Sequence, residues 1–505
     1  MQTDPPGLAP ALSRWSKLAF GVGAIGELVY LGMFNTFIQI YYNQAIGLSN
    51  AWIGTAVLLA LFSDAVSDPA VGIISDRTRS RFGRRHPFLF LAPIPLGVSL
   101  WLIFNPPDLL TGKEVLQTSL GQIQLFMWLA LWTIISRLCL TLYVIPHLAL
   151  GGELARTQHE RSQIFSINSI FGYATGALLT FIAWSYFLNG ETTTADGVTI
   201  SNHLRAASYG PLSLFACAVV LISVSLCAVG TYPRVKYLSK PADNLANLTL
   251  LTFFRKILST LKNRNYLFLL IGFFFFMISA GLYETFNIFV MTYFWELGPE
   301  QIRWVALAAL PGVIVGAFMS PILMRRYDRK PVLLVGIFGM VIFTQLVIDL
   351  RLLDWLPVNG APIILPLLIG NAFGIAVSLG LVSVAVLSML GDVIDENELV
   401  SGLREEGLFY SARAFFAKTS SSVGHFVAGL VLDWFVRMPF EAVPGQLDAD
   451  IVFRLGFSAG PMMSLAAAGS LLFYAQYHLP RSRHEEIMRE LAARQRTRSV
   501  VGDQD

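Results

Sequence analysis

Two aspartates, Asp64 and Asp68, lie one helical turn apart in an apolar segment, residues 51–75, that is long enough to cross a membrane. One charged side chain in the middle of a bilayer costs from about 3 to about 17 kcal/mol, and two on the same helix face also repel each other. Pro69 follows directly. Because proline has no N–H, it frees the carbonyl oxygen of Ala65 as a further ligand. Such a group needs a polar cavity and a positive partner, so the pattern predicts an ion site and favours transport.

The composition is that of a membrane protein. Of the 505 residues, 54% are hydrophobic and only 14% are charged, and the mean hydropathy is +0.59, whereas soluble proteins carry about 25% charged residues. Apolar segments of about 20 to 30 residues recur along the chain. They predict an all-α membrane protein with twelve transmembrane helices in two six-helix halves, as in secondary transporters. The predicted helices begin near Trp15, Ala51, His86, Gln122, Ser162, Tyr209, Asn265, Ile302, Lys330, Ala361, Glu406 and Ile451.

The distribution of basic residues predicts the orientation of the chain. Most of the 36 lysines and arginines lie in segments that the alternating helices bring to one face, which places that face and both termini in the cytoplasm. In the tail, residues 485–494 predict a short amphipathic helix on the membrane surface. The predicted divisions are a cytoplasmic N-terminal segment at 1–14, an N-terminal half at 15–232, a cytoplasmic linker at 233–264, a C-terminal half at 265–478 and a cytoplasmic tail at 479–505.

The sequence argues against several function classes. Cys139, Cys217 and Cys227 all fall in apolar segments, so they are interpreted as packing residues and not as a disulfide or metal framework. Basic loops beside anionic lipid explain the arginine clusters without a nucleic-acid partner. A membrane enzyme would need a nucleophile–base set or a metal cluster, and the sequence has no His-Glu-x-x-His, nucleophile elbow or phosphate loop. We therefore expect no cofactor apart from a coupling ion.

Charged residues at the ends of the predicted helices indicate a gate. An aspartate among arginines follows the second predicted helix, and a similar set follows the eighth. Topology signalling alone would explain the arginines. An aspartate embedded among them also suits ion pairs that form in one conformation and break in another. The predicted cytoplasmic gate consists of Asp76, Arg77, Arg84, Arg85, Arg404 and Glu406.

Motifs from the first to the eleventh predicted helix carry a family resemblance. They are Gly-Ala-Ile-Gly at 23–26, Ser-Asp-Ala-Val-Ser-Asp-Pro at 63–69, Ser-Arg-Phe-Gly-Arg-Arg-His-Pro at 80–87, Ile-Pro-His-Leu-Ala-Leu-Gly-Gly-Glu at 145–153, Asp-Val-Ile-Asp at 392–395 and Gly-Leu-Arg-Glu-Glu-Gly at 402–407. In this order they resemble the glycoside–pentoside–hexuronide:cation symporters, the branch of the major facilitator superfamily that includes melibiose permease. The resemblance implies symport by alternating access, by a multi-pass protein of the bacterial inner membrane.

The resemblance also implies a cation site. In the family, an acidic pair on the second helix with a polar residue between, and a threonine on the fourth helix, coordinates sodium or takes a proton. Asp64, Ser67, Asp68 and Thr141 match these positions. Serine is shorter than the asparagine of melibiose permease, so sodium and a proton both stay open as coupling ions. Lys418 matches a lysine that faces the acidic pair, and a static buried salt bridge is the structural alternative.

The substrate positions depart from those of sugar-transporting relatives. Where these relatives hold sugar hydroxyls with two carboxylates and an arginine, this chain has Leu28, Val144 and Ser169. A polyol needs several charge-assisted hydrogen bonds, so we expect a glycoside-like or amphipathic small molecule and not a simple sugar. Other polar residues in the spans could contact substrate or pair with each other. They are Glu27, Arg137, Glu284 and Arg413, whereas His425 is interpreted as a packing histidine.

The sequence therefore predicts a monomeric symporter coupled to sodium or protons. Two alternatives use the same fold, namely a lysolipid-type carrier or flippase and an uncoupled facilitator. A non-transporting receptor or scaffold would tolerate loss of the Asp64, Asp68 and Lys418 set, and the chain retains it.

Overall fold

Helices account for nearly all of the chain that the structure describes. The computed structural model describes residues 12–155, 157–193, 199–238, 255, 257–402 and 406–502. The exception to the helical pattern is a hairpin of β1 (Glu191–Thr193) and β2 (Thr199–Ser201), antiparallel with Thr192 opposite Ile200. This hairpin was not predicted, because strands of three residues are too short to show an alternating pattern.

The helices up to residue 231 form the first set. Three of them, α2, α7 and α9, continue through an internal proline, which membrane helices tolerate. The set comprises α1 (Arg14–Ile40), α2 (Asn50–Arg77), α3 (His86–Leu91), α4 (Pro93–Ile103), α5 (Asp108–Thr111), α6 (Lys113–Leu116), α7 (Ser119–Leu154), α8 (Gln158–Ile182) and α9 (Ala206–Thr231).

The helices after residue 263 form the second set. They are α10 (Arg264–Phe289), α11 (Pro299–Tyr327), α12 (Arg329–Leu352), α13 (Ile364–Ser401), α14 (Glu406–Leu430), α15 (Ala449–Phe457), α16 (Ser464–Tyr474) and α17 (Arg481–Gly502). Five of the described helices, α1, α8, α10, α14 and α15, end in wider π-helical turns of five or six residues. Such turns often accompany functional sites, although they also terminate helices.

Ten helical segments are long and apolar enough to cross a membrane, within the residues that the structure describes. The sequence predicted twelve, and a helix begins within about one turn of each predicted start. The two segments outside the ten are the third, which is divided between α3 and α4 before Pro93, and the eleventh, α14. An all-helical membrane protein is therefore confirmed, while the number twelve and the cytoplasmic termini stay predictions.

The contacts divide the chain into two compact units. The first unit contains α1 to α9 together with Leu297–Arg303 and Gly429–Leu447. Within it, the side chain of Ser49, the N-cap residue of α2, makes no capping hydrogen bond. The side chain of Asp433 caps this helix instead. The Asp433 carboxylate accepts from the backbone N–H of Asn50 at 3.1 Å and of Ala51 at 2.7 Å. A carboxylate at a helix N-terminus accepts hydrogen bonds from these N–H groups, and its negative charge interacts favourably with the helix dipole.

The second unit has a large apolar core that includes the C-terminal helix. The unit contains the chain from Leu251 onward, apart from the two segments above. Ile487 and Leu491 of α17 are buried in this core, and His484 of α17 lies 3.0 Å from Asp395. The prediction of a tail helix is confirmed, and its apolar side chains pack on the second unit, whereas a position on the membrane surface stays a prediction. The helix buries its apolar side chains against α13 and its neighbours because this removes them from water.

Candidate functional site: two polar side-chain pairs between parallel helices

Two facing pairs of polar side chains join α2 to α7, and each pair is called a rung below. Arg137 of α7 donates to Asp64 of α2, and one turn further along Thr141 donates to Asp68. Partners in both pairs are 73 residues apart in sequence. Residues four apart share one face of a helix, so the equal spacing shows that α2 and α7 run in the same direction here with these faces in register. The two rungs are separated by about 6 Å along the helices.

The first rung is a buried ion pair. Arg137 donates from Nε at 3.0 Å and from Nη2 at 2.5 Å, both to Oδ2 of Asp64. The Asp64 side chain is 3% exposed and that of Arg137 is 12% exposed. The sequence left open whether Arg137 contacts substrate or another charge, and the structure makes it the partner of Asp64. The signal in the sequence was the match between the spacing of Arg137 and Thr141 and the spacing of the two aspartates.

The second rung is formed by neutral and charged oxygens. The Thr141 hydroxyl donates to Oδ1 of Asp68 at 2.7 Å. Ser67, between the two aspartates, is buried, and its hydroxyl has no hydrogen-bond partner among the described residues. The structure therefore brings Asp68 and Thr141 together as the resemblance implies, and it leaves the Ser67 oxygen available as a further ligand. These are hard oxygen ligands, which suit a small hydrated cation or a proton.

The two rungs combine a charged donor with neutral hydroxyls. Arg137 donates to Oδ2 of Asp64, whereas Oδ1 of Asp68 accepts from the neutral hydroxyl of Thr141. The buried Ser67 hydroxyl lies between the two aspartates in sequence. Carboxylate and hydroxyl oxygens at this place are ligands that a monovalent cation or a proton can use.

Some of the candidate substrate and coupling residues lie in the first unit and others lie in the second. In the first unit, Glu27, Leu28 and Val144 are half-buried, and a Cβ on Gly172 of α8 would lie 3.6 Å from the Leu28 side chain. Ser169 is exposed, and its hydroxyl donates to the carbonyl of its own helix. In the second unit, Lys418 is half-buried on α14. The roles of these residues in substrate binding or coupling stay predictions.

Two further candidates in the second unit have identifiable partners. The guanidinium of Arg413 lies 4.5 Å from the centre of the Phe273 ring, which is a cation–π contact. Glu284, for which the sequence suggested no partner, lies 3.2 Å from Nε2 of His425. The interpretation of His425 as a packing histidine was therefore incomplete, because it is buried and also contacts an ionisable side chain.

Part of the predicted gate forms an ion-pair cluster at the end of α2. Arg85 donates from Nε at 2.8 Å to Oε1 of Glu153, and it also pairs with Asp76. Arg84 lies 3.0 Å from the same Glu153 oxygen. Ser75 completes the set by accepting from Nη1 of Arg85 at 2.6 Å. The prediction omitted Glu153, although it stands in the quoted motif at 145–153, because only the fold brings the end of α7 to this loop.

The remaining gate residues are less informative. Arg404 lies outside the described residues, and Glu406 is exposed at the start of α14. Arg77 ends α2 and is exposed. The predicted gate is therefore represented in the first unit by the Asp76, Arg84, Arg85 and Glu153 cluster.

Glu153→Gln is expected to destabilise the purified protein. The Glu153 side chain is only 12% exposed and serves two guanidinium groups, and hydrogen bonds to charged groups contribute about 1.5–3 kcal/mol each. We expect a clear fall in the midpoint of thermal unfolding. Glu441→Gln is the matched control, because its pair with Lys113 is solvent-exposed and such pairs contribute little. Equal midpoints for the two variants would contradict the structural role of Glu153.

The chain matches a family of membrane transporters over most of its length. The family model described as MFS/sugar transport protein covers residues 19–481. An uncharacterized symporter of Synechocystis sp. is 24% identical over 97% of this chain and 99% of its own length. A putative glycoside/cation symporter of Escherichia coli, YagG, is 25% identical over 95% of each chain. A sodium-dependent lysophosphatidylcholine symporter of Danio rerio is 24% identical over 95% of this chain and 88% of its own.

Solved structures show the same fold at low sequence identity. The nucleoside transporter NupG superposes with a TM-score of 0.58 and 12% identity, over 92% of this chain and 99% of its own. The xylose transporter XylE of Escherichia coli gives a TM-score of 0.55 and 15% identity, over 94% and 98%. At such identities the likeness concerns the fold alone.

Proposed function

Because the chain belongs to the MFS/sugar transport protein family, with the features of a glycoside–pentoside–hexuronide:cation symporter, we propose that it carries a small organic solute together with a cation. The family is one of transporters, so the protein is an integral multi-pass transporter of the inner membrane and not an enzyme. The coupling ion, the substrate and the residues that bind them are the content of the proposal.

The single observation that carries cation coupling is the set of oxygen atoms that Asp68, Thr141 and Ser67 contribute where α2 packs on α7. Asp64 is bound by Arg137, whereas Asp68 accepts from the neutral hydroxyl of Thr141. A cation or proton bound at the Asp68 carboxylate adds one positive charge to the site, and its departure removes that charge. A site whose charge changes on binding provides the free-energy difference by which a cation biases one conformation over another. Sodium and a proton are both compatible with these oxygen ligands.

The substrate is proposed to be amphipathic or glycoside-like. Leu28 and Val144 replace carboxylates that would hold sugar hydroxyls, which removes the strongest bonds to a polyol. The relatives at comparable identity include both a putative glycoside/cation symporter and lysophosphatidylcholine symporters. A lysolipid-type carrier on the same fold is therefore the second candidate for the same site.

A ligand screen followed by a flux assay tests the proposal. Purified protein is heated with glycosides and with lysolipids, each with and without sodium and at two pH values. A true ligand at 100 times its Kd stabilises the folded state by about 2.7 kcal/mol, and coupling makes this effect depend on one cation. Proteoliposomes then measure uptake of that ligand under a sodium or a proton gradient. Uptake at the same rate with and without either gradient would identify an uncoupled facilitator. Tight binding of a simple sugar would overturn the proposed substrate class.

A further inference from the structure

Helices α10 and α14 cross with their backbones in direct contact. A Cβ on Gly281 would lie 2.3 Å from the carbonyl oxygen of Ser421, and a Cβ on Gly424 would lie 2.4 Å from that of Ile278. No side chain fits at such distances, so the approach requires glycine on both helices. The crossing holds the residues beside it at a fixed separation.

An acid and a base stand beside this crossing. Glu284 follows Gly281 by one turn on α10, and His425 follows Gly424 directly on α14. Oε2 of Glu284 lies 3.2 Å from Nε2 of His425. The other ring nitrogen, Nδ1, lies 2.8 Å from the hydroxyl of the buried Thr285. Both imidazole nitrogens therefore have partners, which fixes the orientation of the ring toward the carboxylate.

The accessibility of the pair differs on its two sides. The His425 side chain is 11% exposed, whereas that of Glu284 is 41% exposed. A carboxylate on a membrane helix avoids lipid and faces protein or water. The pair thus has a buried base and an acid that a proton can reach.

The pair is neutral as a whole only when it holds one proton. Glutamate with imidazolium and glutamic acid with imidazole are both neutral, while a second proton gives +1 and the loss of the proton gives −1. Each departure from neutrality is penalised within the membrane. Imidazole is the side chain whose ordinary pKa lies near neutral pH. Two ionisable groups in contact bind and release protons as one unit.

The other ionisable groups on the helices around this pair are spread along the unit. Lys418 and Arg413 precede His425 by two and by more than three turns on α14. Glu396 of α13 bonds to Asn265, about 28 Å from Glu284 along α10. On α16, which also packs against α10, Tyr474 lies against Gly272. The adjacent ionisable side chain on α10 itself is that of Tyr283.

We propose that Glu284 and His425 form a proton-binding site in the second unit, separate from the Asp64 and Asp68 site. Its ligand is a single proton shared between carboxylate and imidazole. Proton binding at this pair stands on the geometry of α10 and α14 alone. The consequence that transport becomes pH-dependent through it rests on the proposed function.

Infrared difference spectroscopy of the purified full-length protein between pH 5 and pH 9 tests the site. We expect a carboxyl band and an imidazole band to change with one common midpoint. His425→Gln identifies the imidazole band by removing it. In Glu284→Gln the carboxyl band disappears and the imidazole midpoint moves, because the carboxylate that shares the proton with the imidazole is gone. An imidazole band that does not titrate in the wild type, or keeps its midpoint in Glu284→Gln, would overturn the proposal.

Two controls separate this proposal from others. His478→Gln removes an exposed histidine that lies 2.5 Å from the carbonyl of Gln476, and it should leave the shared midpoint unchanged. Should Glu284→Gln unfold, Glu284→Asp retains the acid at a longer distance and should move the midpoint in the same direction by less. Asp68→Asn should leave the titration intact. If cation coupling survives Asp68→Asn while the pair titrates as described, the proposed cation site fails and the proton site stands.

Discussion

Asp68→Asn is expected to abolish cation-driven accumulation while the protein still folds. The amide oxygen of asparagine can still accept the hydrogen bond that Thr141 donates to Asp68 at 2.7 Å, so the packing of α2 on α7 is kept. What disappears is the negative charge. A unit charge about 4 Å from a cation contributes about 4 kcal/mol at an effective dielectric constant of 20, which corresponds to about a thousandfold in cation affinity. Uptake into proteoliposomes under a cation gradient measures the effect.

The control for this variant is an Asp→Asn change outside the two rungs. Asp450 is 66% exposed and pairs with Arg454 one turn along the same helix, so Asp450→Asn should preserve both folding and uptake. Counterflow of labelled substrate, which needs no cation gradient, shows whether Asp68→Asn still moves substrate. Full gradient-driven accumulation by Asp68→Asn would contradict the role given to this carboxylate.

The fold could be predicted from the sequence as far as it depends on apolar length. Membrane helices must contain about 20 apolar residues in a row, and a helix begins near each predicted start. The hairpin of β1 and β2 has no such signal. The docking of α17 also escaped prediction, because an amphipathic helix shows the same pattern of residues whether it lies on lipid or packs on protein, as Ile487 and Leu491 do here.

The candidate site could be predicted only within single helices. The spacing of Asp64 and Asp68 places both on one face, which is a local property of α2. That Arg137 faces Asp64 depends on which helices are neighbours and on their register, and neither is encoded in a local pattern. The same reason explains why Glu153 and the partner of Glu284 were missed. These pairs join residues that are far apart in sequence, and they form because the fold packs α2 and the loop after it against α7, and α10 against α14.

Arg137→Gln is expected to destabilise the protein strongly. It removes two donors from the Asp64 carboxylate, which is 3% exposed. Breaking a buried ion pair by removing one partner costs about 3–5 kcal/mol, because a charge is left without compensation. The midpoint of thermal unfolding should fall sharply. Arg454→Gln, which breaks the exposed pair with Asp450, should leave the midpoint nearly unchanged.

The double variant Asp64→Asn with Arg137→Gln decides between the two roles that the sequence left open for Arg137. If Arg137 serves Asp64, removing both charges together restores most of the stability lost in Arg137→Gln, since two neutral amides can hydrogen-bond across the same rung. If Arg137 instead holds substrate, Arg137→Gln would weaken substrate binding with little loss of stability, and the double variant would recover nothing. The double variant retains the Asp68 carboxylate, and because it removes one negative and one positive charge, the summed formal charge of the site is the same as in the wild type. We therefore expect it to keep cation dependence, which ties coupling to the charge at Asp68.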